Sequence, residues 1–281
     1  MIDYYLLTKP GIVFGNLLVV MAGFLLASNG VIAWGLFLAT LLGLTGIMAS
    51  ACVFNNYINR HSDRKMKRTK KRALVTGLIS ASHALLFAAV LGIVGNLILL
   101  IYTNILTVVV ANIGFFVYVV LYSYWKDHTI YGTAIGSVAG AVPPVVGYCA
   151  VSNRFDSGAV ILFAMMVLWQ MPHFFAIAIR HLDDYAAAKI PVLPLEKGIW
   201  VTKIHMTIYI VAFILVASLL TVFGYTGYLY LFSTTTIALA WLWLSIKGFK
   251  SHNDLQWSKQ MFQLSLILIM AICVTIPFDT I

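Results

Sequence analysis

Nine stretches of this chain run for about 18 to 22 residues almost without charge, close to the roughly 20 apolar residues that cross a bilayer as a helix. Their limits read as about 11–29, 33–54, 79–100, 104–124, 131–150, 157–178, 204–223, 228–246 and 260–277, with ends set by hydropathy alone. The apolar runs are continuous instead of alternating, which favours helices over a barrel because each spanning segment must satisfy its own backbone. Only 10% of the 281 residues are charged and 62% are hydrophobic, whereas a soluble domain carries about 25% charged residues. Too little polar surface exists to coat a water-soluble core. The expected fold is therefore all-α, a polytopic membrane protein of about nine transmembrane helices, in one domain over residues 1–281.

The charges decide the orientation. With the amino terminus in the cytoplasm, every Lys and Arg except Arg154 falls on the cytoplasmic side, as the positive-inside rule requires. An odd number of spans then puts the carboxyl terminus on the opposite side. The formal charge of +9 sits in short loops beside the membrane, where it sets topology and meets anionic headgroups or substrates, so no nucleic acid partner is expected. Met1 to Pro10 leads straight into a full-length span without a small-residue cleavage pattern, and no cleavable signal is expected. Cys52, Cys149 and Cys273 are scattered in apolar segments without metal or CxxC spacing and read as packing residues. The long polar connections, about 55–78 and 179–203, are both cytoplasmic, and any chemistry belongs on that face. In span five, Gly132, Gly136 and Gly140 share one helix face, which allows close approach of a flat ligand or, as the favoured reading, close packing of a neighbouring helix. Pro143 and Pro144 predict a bend or break in that span.

The first polar connection opens with a dense block, residues 55–72, holding eight of the 18 Lys and Arg. Asn55, Asn59 and Asp63 recur every four residues, so on a helix they line one face. Oxygen-bearing side chains at that spacing suit a hard cation such as Mg2+, which binds few carboxylates and completes its shell with water and phosphate. Arg64, Lys67, Arg68, Lys70, Lys71 and Arg72 follow at once and can pair with a polyanion, Arg through its bidentate fork. Taken singly, the lysines read better as a solvated, topology-setting loop. That reading does not account for amides and a carboxylate at helical spacing.

The second connection supplies Asp183 and Asp184, two of only nine acids in the chain, at the cytoplasmic end of span six. A second acidic site facing the first would let two metal ions clamp one diphosphate. Adjacent helical residues point about 100 degrees apart, so one of the pair is expected to face the site. His173 lies just upstream, flanked by Trp169, Gln170, Phe174 and Phe175. An ionisable residue in a membrane segment is a functional candidate, and a neutral imidazole is a common ligand to haem iron, although a lone histidine is more often a hydrogen-bonded packing residue.

Together these residues resemble the protohaem IX farnesyltransferase family, within the UbiA-type superfamily of intramembrane prenyltransferases. The resemblance runs from Thr8-Lys9-Pro10 with Asn16, through Asn55-Asn56-Tyr-Ile and Asp63-Arg-Lys-Met-x-Arg-Thr-x-x-Arg72. It continues through Tyr131-Gly132 to Gly140-Ala-x-Pro-Pro-x-x-Gly147-Tyr, then Trp169-Gln-Met-Pro-His173-Phe and Asp184-Tyr-x-x-Ala-x-Ile-Pro-Val-Leu-Pro194. It implies helices around a central cavity in a bacterial cytoplasmic (inner) membrane. It also implies transfer of farnesyl from farnesyl diphosphate to a vinyl group of haem b, giving haem O. Asn55, Asn59, Asp63 and Asp184 are the implied catalytic set. Asn55, Asp63, Asp184 and Asp183 would hold Mg2+, and Lys9, Arg64, Lys67, Arg68, Lys71 and Arg72 the diphosphate. His173, Trp169 and Gln170 would contact haem. Membrane lipid surrounds the chain, and haem A synthase or a terminal oxidase would consume the product.

The chain departs from the family pattern at one telling place. That pattern is Asn-x-x-x-Asp-x-x-x-Asp, whereas here the middle position is Asn59, and position 61, often acidic in relatives, is His61. An amide keeps the oxygen but removes the charge, which weakens attraction for a divalent cation. A different reading follows from that substitution: a haem-binding membrane protein of the same fold with catalysis weakened or lost. A transporter is disfavoured because the polar residues gather at one face and not near the midplane.

Overall fold

A computed structural model describes residues 2–281. Nine helices long and apolar enough to span a membrane occur among the described residues. They are α1 (Pro10–Ala27), α2 (Trp34–Ile58), α3 (Ala81–Tyr102), α4 (Ile105–Trp125), α5 (Gly132–Ser152), α6 (Ser157–Arg180), α7 (Gly198–Val222), α8 (Tyr228–Lys247) and α9 (Asp254–Phe278). The protein is an integral membrane protein, and the count agrees with the nine apolar runs. Large apolar side chains such as Phe14, Leu42, Ile101, Leu215 and Phe232 face outward, as expected where lipid replaces water around the bundle.

Helix starts follow local chemistry. Asn104, Asp156 and Asn253 accept hydrogen bonds from backbone N–H groups one turn ahead, Thr107 at 2.9 Å, Gly158 at 3.0 Å and Gln256 at 3.0 Å. Each thereby occupies a donor that the helix leaves unpaired. Three ends differ most from the hydropathy reading. α2 continues past 54 to Ile58, α7 begins at Gly198 instead of near 204, and α9 begins at Asp254 instead of near 260, because polar residues carry those helices beyond the hydrocarbon where apolar runs stop.

Association rests on backbone approach. α2 and α3 make the most extensive contact in the bundle, with Gly43 and Gly46 opposite Gly95 and the Ser50 hydroxyl donating to Ala88 O at 2.7 Å. Small residues let helices meet by dispersion contact where no hydrophobic effect operates. α1 and α5 meet similarly: a Cβ on Gly23 would strike Pro144 O, and one on Gly147 would strike Val20 O. α5 runs unbroken from Gly132 to Ser152 through both prolines, which corrects the expected break. The backbone around Pro144 lies against Gly23 of α1, so the disturbed stretch is buried in protein, where an irregular membrane helix is tolerated. The stripe of Gly132, Gly136 and Gly140 faces Lys126, the Tyr122 ring and the Gln170 side chain, as close packing predicted.

This arrangement gives a prediction. Gly147→Ala forces a methyl into a backbone carbonyl and should destabilise the protein by about 1–3 kcal/mol, visible as a lowered unfolding temperature in detergent. Gly15→Ala in α1, which meets nothing within 4 Å, should leave that temperature unchanged or raised; equal losses in both variants would refute the packing argument.

Candidate active site

Asn59 N–H bonds Asn55 O at 3.0 Å and Asp63 N–H bonds Asn59 O at 2.8 Å, so the helical path continues from α2 into the short helix Arg60–Asp63. Asn55, Asn59 and Asp63 therefore share one stripe, as their spacing predicts. All three are buried, at 3%, 4% and 2% exposure, far beyond what a solvated loop requires. Asn56, one residue off the stripe, donates to Leu7 O at 2.8 Å and ties the amino-terminal helix Ile2–Leu7 to α2.

That tie delivers Lys9. It sits in the left-handed region at φ 52, ψ 62, a conformation uncommon for a residue with a Cβ, and its amine donates to Asn55 Oδ1 at 2.6 Å and contacts Tyr118 Oη at 3.5 Å. Enclosure away from water pushes the Lys9 amine down to about 8, since burial disfavours the charged form. Arg72 closes the other side. Its Nη1 reaches Asp63 Oδ2 at 2.6 Å and Asn56 Oδ1 at 3.1 Å, so two cations flank the stripe.

α4 contributes residues that the sequence reading missed. Its backbone widens to a π-helix over Val117–Tyr122, a distortion that often marks functional positions. The π turn brings Tyr118 and Tyr122 into a stack at 5.4 Å and puts Ser123 Oγ 3.0 Å from Asn55 Nδ2. Just beyond, Asp127 Oδ2 accepts from Ser62 Oγ at 3.1 Å. Lys126 beside it is held below the usual lysine range by burial, partly offset by Asp127 and Asp63. The only sequence signal for this corner was the run Lys126-Asp127-His128 at the end of a span.

The two polar connections meet here. Asp184 Oδ1 accepts from Lys67 N–H at 2.8 Å, whereas Asp183 is exposed, so one of the pair turns inward. Beneath them Met66 packs with Ala178, Ala188, Ile190 and Val192 in a small core separate from the main one. Arg64, Lys67, Arg68 and Lys71 remain exposed around this junction.

His173, Trp169 and Gln170 form a second cluster, buried between α6, α9 and α5. The imidazole lies against Trp169 and Phe262, each at 4.8 Å between ring centres, and the Arg180 guanidinium lies 4.9 Å from the Phe262 ring centre. His173 Nδ1 is 2.8 Å from Ser265 Oγ, and that hydroxyl donates to Phe262 O at 2.6 Å. Because Ser265 has one proton to give, Nδ1 is the donor to it, which leaves Nε2 as the ring nitrogen outside that bond. Trp169 Nε1 donates to Ser265 O at 3.0 Å and Gln170 Nε2 to Met166 O at 3.2 Å, so these two serve as walls.

The oxygen-only donors around the stripe fit a hard divalent cation. Asn59 Oδ1 is buried without a hydrogen-bond partner, a vacancy that ordinarily calls for water or an ion. Among the described residues no three His, Cys, Asp or Glu side chains form a closed metal cage.

The UbiA prenyltransferase family matches residues 16–267. The chain is 61% identical over 280 residues to the protein named protoheme IX farnesyltransferase in Protochlamydia amoebophila, covering 99% of each. It is 53% identical over 281 residues to the one in Serratia proteamaculans, covering 99% of this chain and 95% of that one. Among solved structures, one described as digeranylgeranylglyceryl phosphate synthase superposes with a TM-score of 0.80 at 19% identity over 98% of both chains. A UbiA homolog from Archaeoglobus fulgidus bound to GPP and Mg2+ superposes with a TM-score of 0.70 at 14% identity, over 98% of this chain and 99% of that one. At those identities the structures speak to the fold alone.

Proposed function

The chain belongs to the UbiA prenyltransferase family, and we propose that it transfers farnesyl from farnesyl diphosphate to a vinyl group of haem b, producing haem O and diphosphate. The observation that carries this reading is a buried, oxygen-lined stripe flanked by Lys9 and Arg72, with the two polar connections joined beside it through Lys67 and Asp184. It is supported by 61% identity to a protein named for that reaction.

Asn55, Asn59, Asp63 and Asp184 are the side chains that would hold Mg2+, with exposed Asp183 at the rim. The ion, when bound, neutralises diphosphate and strengthens it as a leaving group. Lys9 and Arg72 place positive charge at the buried end of the diphosphate, while Arg64, Lys67, Arg68 and Lys71 ring its outer end. Fixed charge in a dry site stabilises the departing anion more than water would. As the farnesyl C–O bond breaks, its allylic cation bonds to the terminal carbon of a haem vinyl group. Water then adds to the inner vinyl carbon and loses a proton, leaving a hydroxyethylfarnesyl substituent. Tyr118, Tyr122 and the apolar bundle keep water from the cation before that bond forms. His173 offers Nε2 to haem iron, with Trp169 and Gln170 as walls. The chain acts as one domain, amino terminus in the cytoplasm and carboxyl terminus across the bacterial inner membrane, and its product passes to haem A synthase or a terminal oxidase.

The test is direct. Purified protein with Mg2+, farnesyl diphosphate and haem b should yield haem O by mass spectrometry, and Asn59→Asp should raise turnover at limiting Mg2+ by roughly tenfold through a restored charged ligand. Asn59, with an amide where the family has a carboxylate, favours one further reading, a haem-binding protein without transfer. Haem binding with no diphosphate release in both wild type and Asn59→Asp would establish that reading and overturn the first.

A further inference from the structure

Two of the three buried side-chain oxygens without a hydrogen-bond partner among the described residues belong to Asn59 and Asp127. They come from segments nearly 70 positions apart, yet they approach one helical turn. Asn59 and Ser62 are three residues apart, hence on one helix face, and Ser62 Oγ donates to Asp127 Oδ2 at 3.1 Å. Asp127 thus reaches the turn bounded by Asn59 and Asp63, with Oδ2 engaged and Oδ1 buried and unbonded. The nearest cation to Oδ1, the Lys126 amine of the preceding residue, stands at 3.8 Å, beyond hydrogen-bond reach.

Asp63 is already matched by Arg72 at 2.6 Å, and Asn59 supplies an oxygen but no charge. A dication at this turn therefore lacks one negative charge from the stripe itself. We propose that Asp127 supplies it: its carboxylate, projected from the end of α4, stands in for the acid missing at position 59 and completes the Mg2+–diphosphate site. The inference rests on the metal-dependent reading above and adds to it a ligand from outside both polar connections. Ser62 holds one carboxylate oxygen and so aims the other. The competing explanation is a simple pair between neighbouring residues, Asp127 with Lys126, irrelevant to the ion.

Restoration separates the two. Mn2+ as a paramagnetic stand-in for Mg2+ is titrated into the full-length protein in lipid nanodiscs with inorganic diphosphate, and bound Mn2+ is read by electron paramagnetic resonance. Asp127→Asn should weaken Mn2+ by about tenfold or more, the usual penalty for disturbing a metal shell. Asp127→Glu should bind as wild type does. The decisive chain is Asn59→Asp/Asp127→Asn, which moves the charge back to position 59 and should recover wild-type affinity. Wild-type affinity in Asp127→Asn, or no recovery in the double variant, overturns the proposal while leaving the metal-dependent reading intact. Absence of Mn2+ binding in wild type itself overturns both. If Asp127→Asn fails to fold, the double variant still decides, since a charge-supplying role requires it to fold and bind.

Discussion

Asp63→Ala should reduce haem O formation by about 10²- to 10³-fold, the loss usual when a fixed electrostatic partner of a reacting anion is removed. Asp63 is the one carboxylate of the Asn55–Asn59–Asp63 stripe, 2% exposed, and it orients Arg72 through a 2.6 Å ion pair. Its removal deletes a proposed metal ligand and also frees Arg72, whose guanidinium keeps its 3.1 Å bond to Asn56. The Arg72 side chain is 32% exposed, so water can solvate it, and the protein should remain folded. The check pairs product formation with Mn2+ titration: both should fall together while the unfolding temperature shifts by only a few degrees. Activity near wild type would remove Asp63 from the metal set.

His173→Ala should abolish the axial-ligand signature of bound haem b, read as a changed Soret band and altered resonance Raman modes. The hydrogen-bond chain from His173 Nδ1 to Ser265 and on to Phe262 O holds the ring in the tautomer whose Nε2 can coordinate, the arrangement typical of histidine ligands. Ser265→Ala loses only that constraint and should broaden or shift the same bands without erasing them. An unchanged spectrum in His173→Ala would return the residue to a packing role, where the stack with Trp169 and Phe262 already gives it a reason to exist.

Much of the fold was legible because a bilayer leaves few options: an apolar run of the right length has to be a helix. The stripe at 55, 59 and 63 was legible because helical period survives from sequence into structure. Three features were not. The unbroken α5 depends on a partner helix receiving the Pro144 region, which Pro143-Pro144 alone does not reveal. The π turn at Val117–Tyr122 has no compositional mark, since Val, Leu and Tyr are equally at home in an α-helix. Asp127 was invisible because its contact with Ser62 spans 65 positions, and no local pattern records a neighbour that distant.

The small core around Met66 joins the two polar connections. Met66 is 4% exposed, and returning such a side chain to water costs roughly 2 kcal/mol. Each polar connection thus lends the other an apolar face, so loss of the Met66 side chain is expected to loosen both at once.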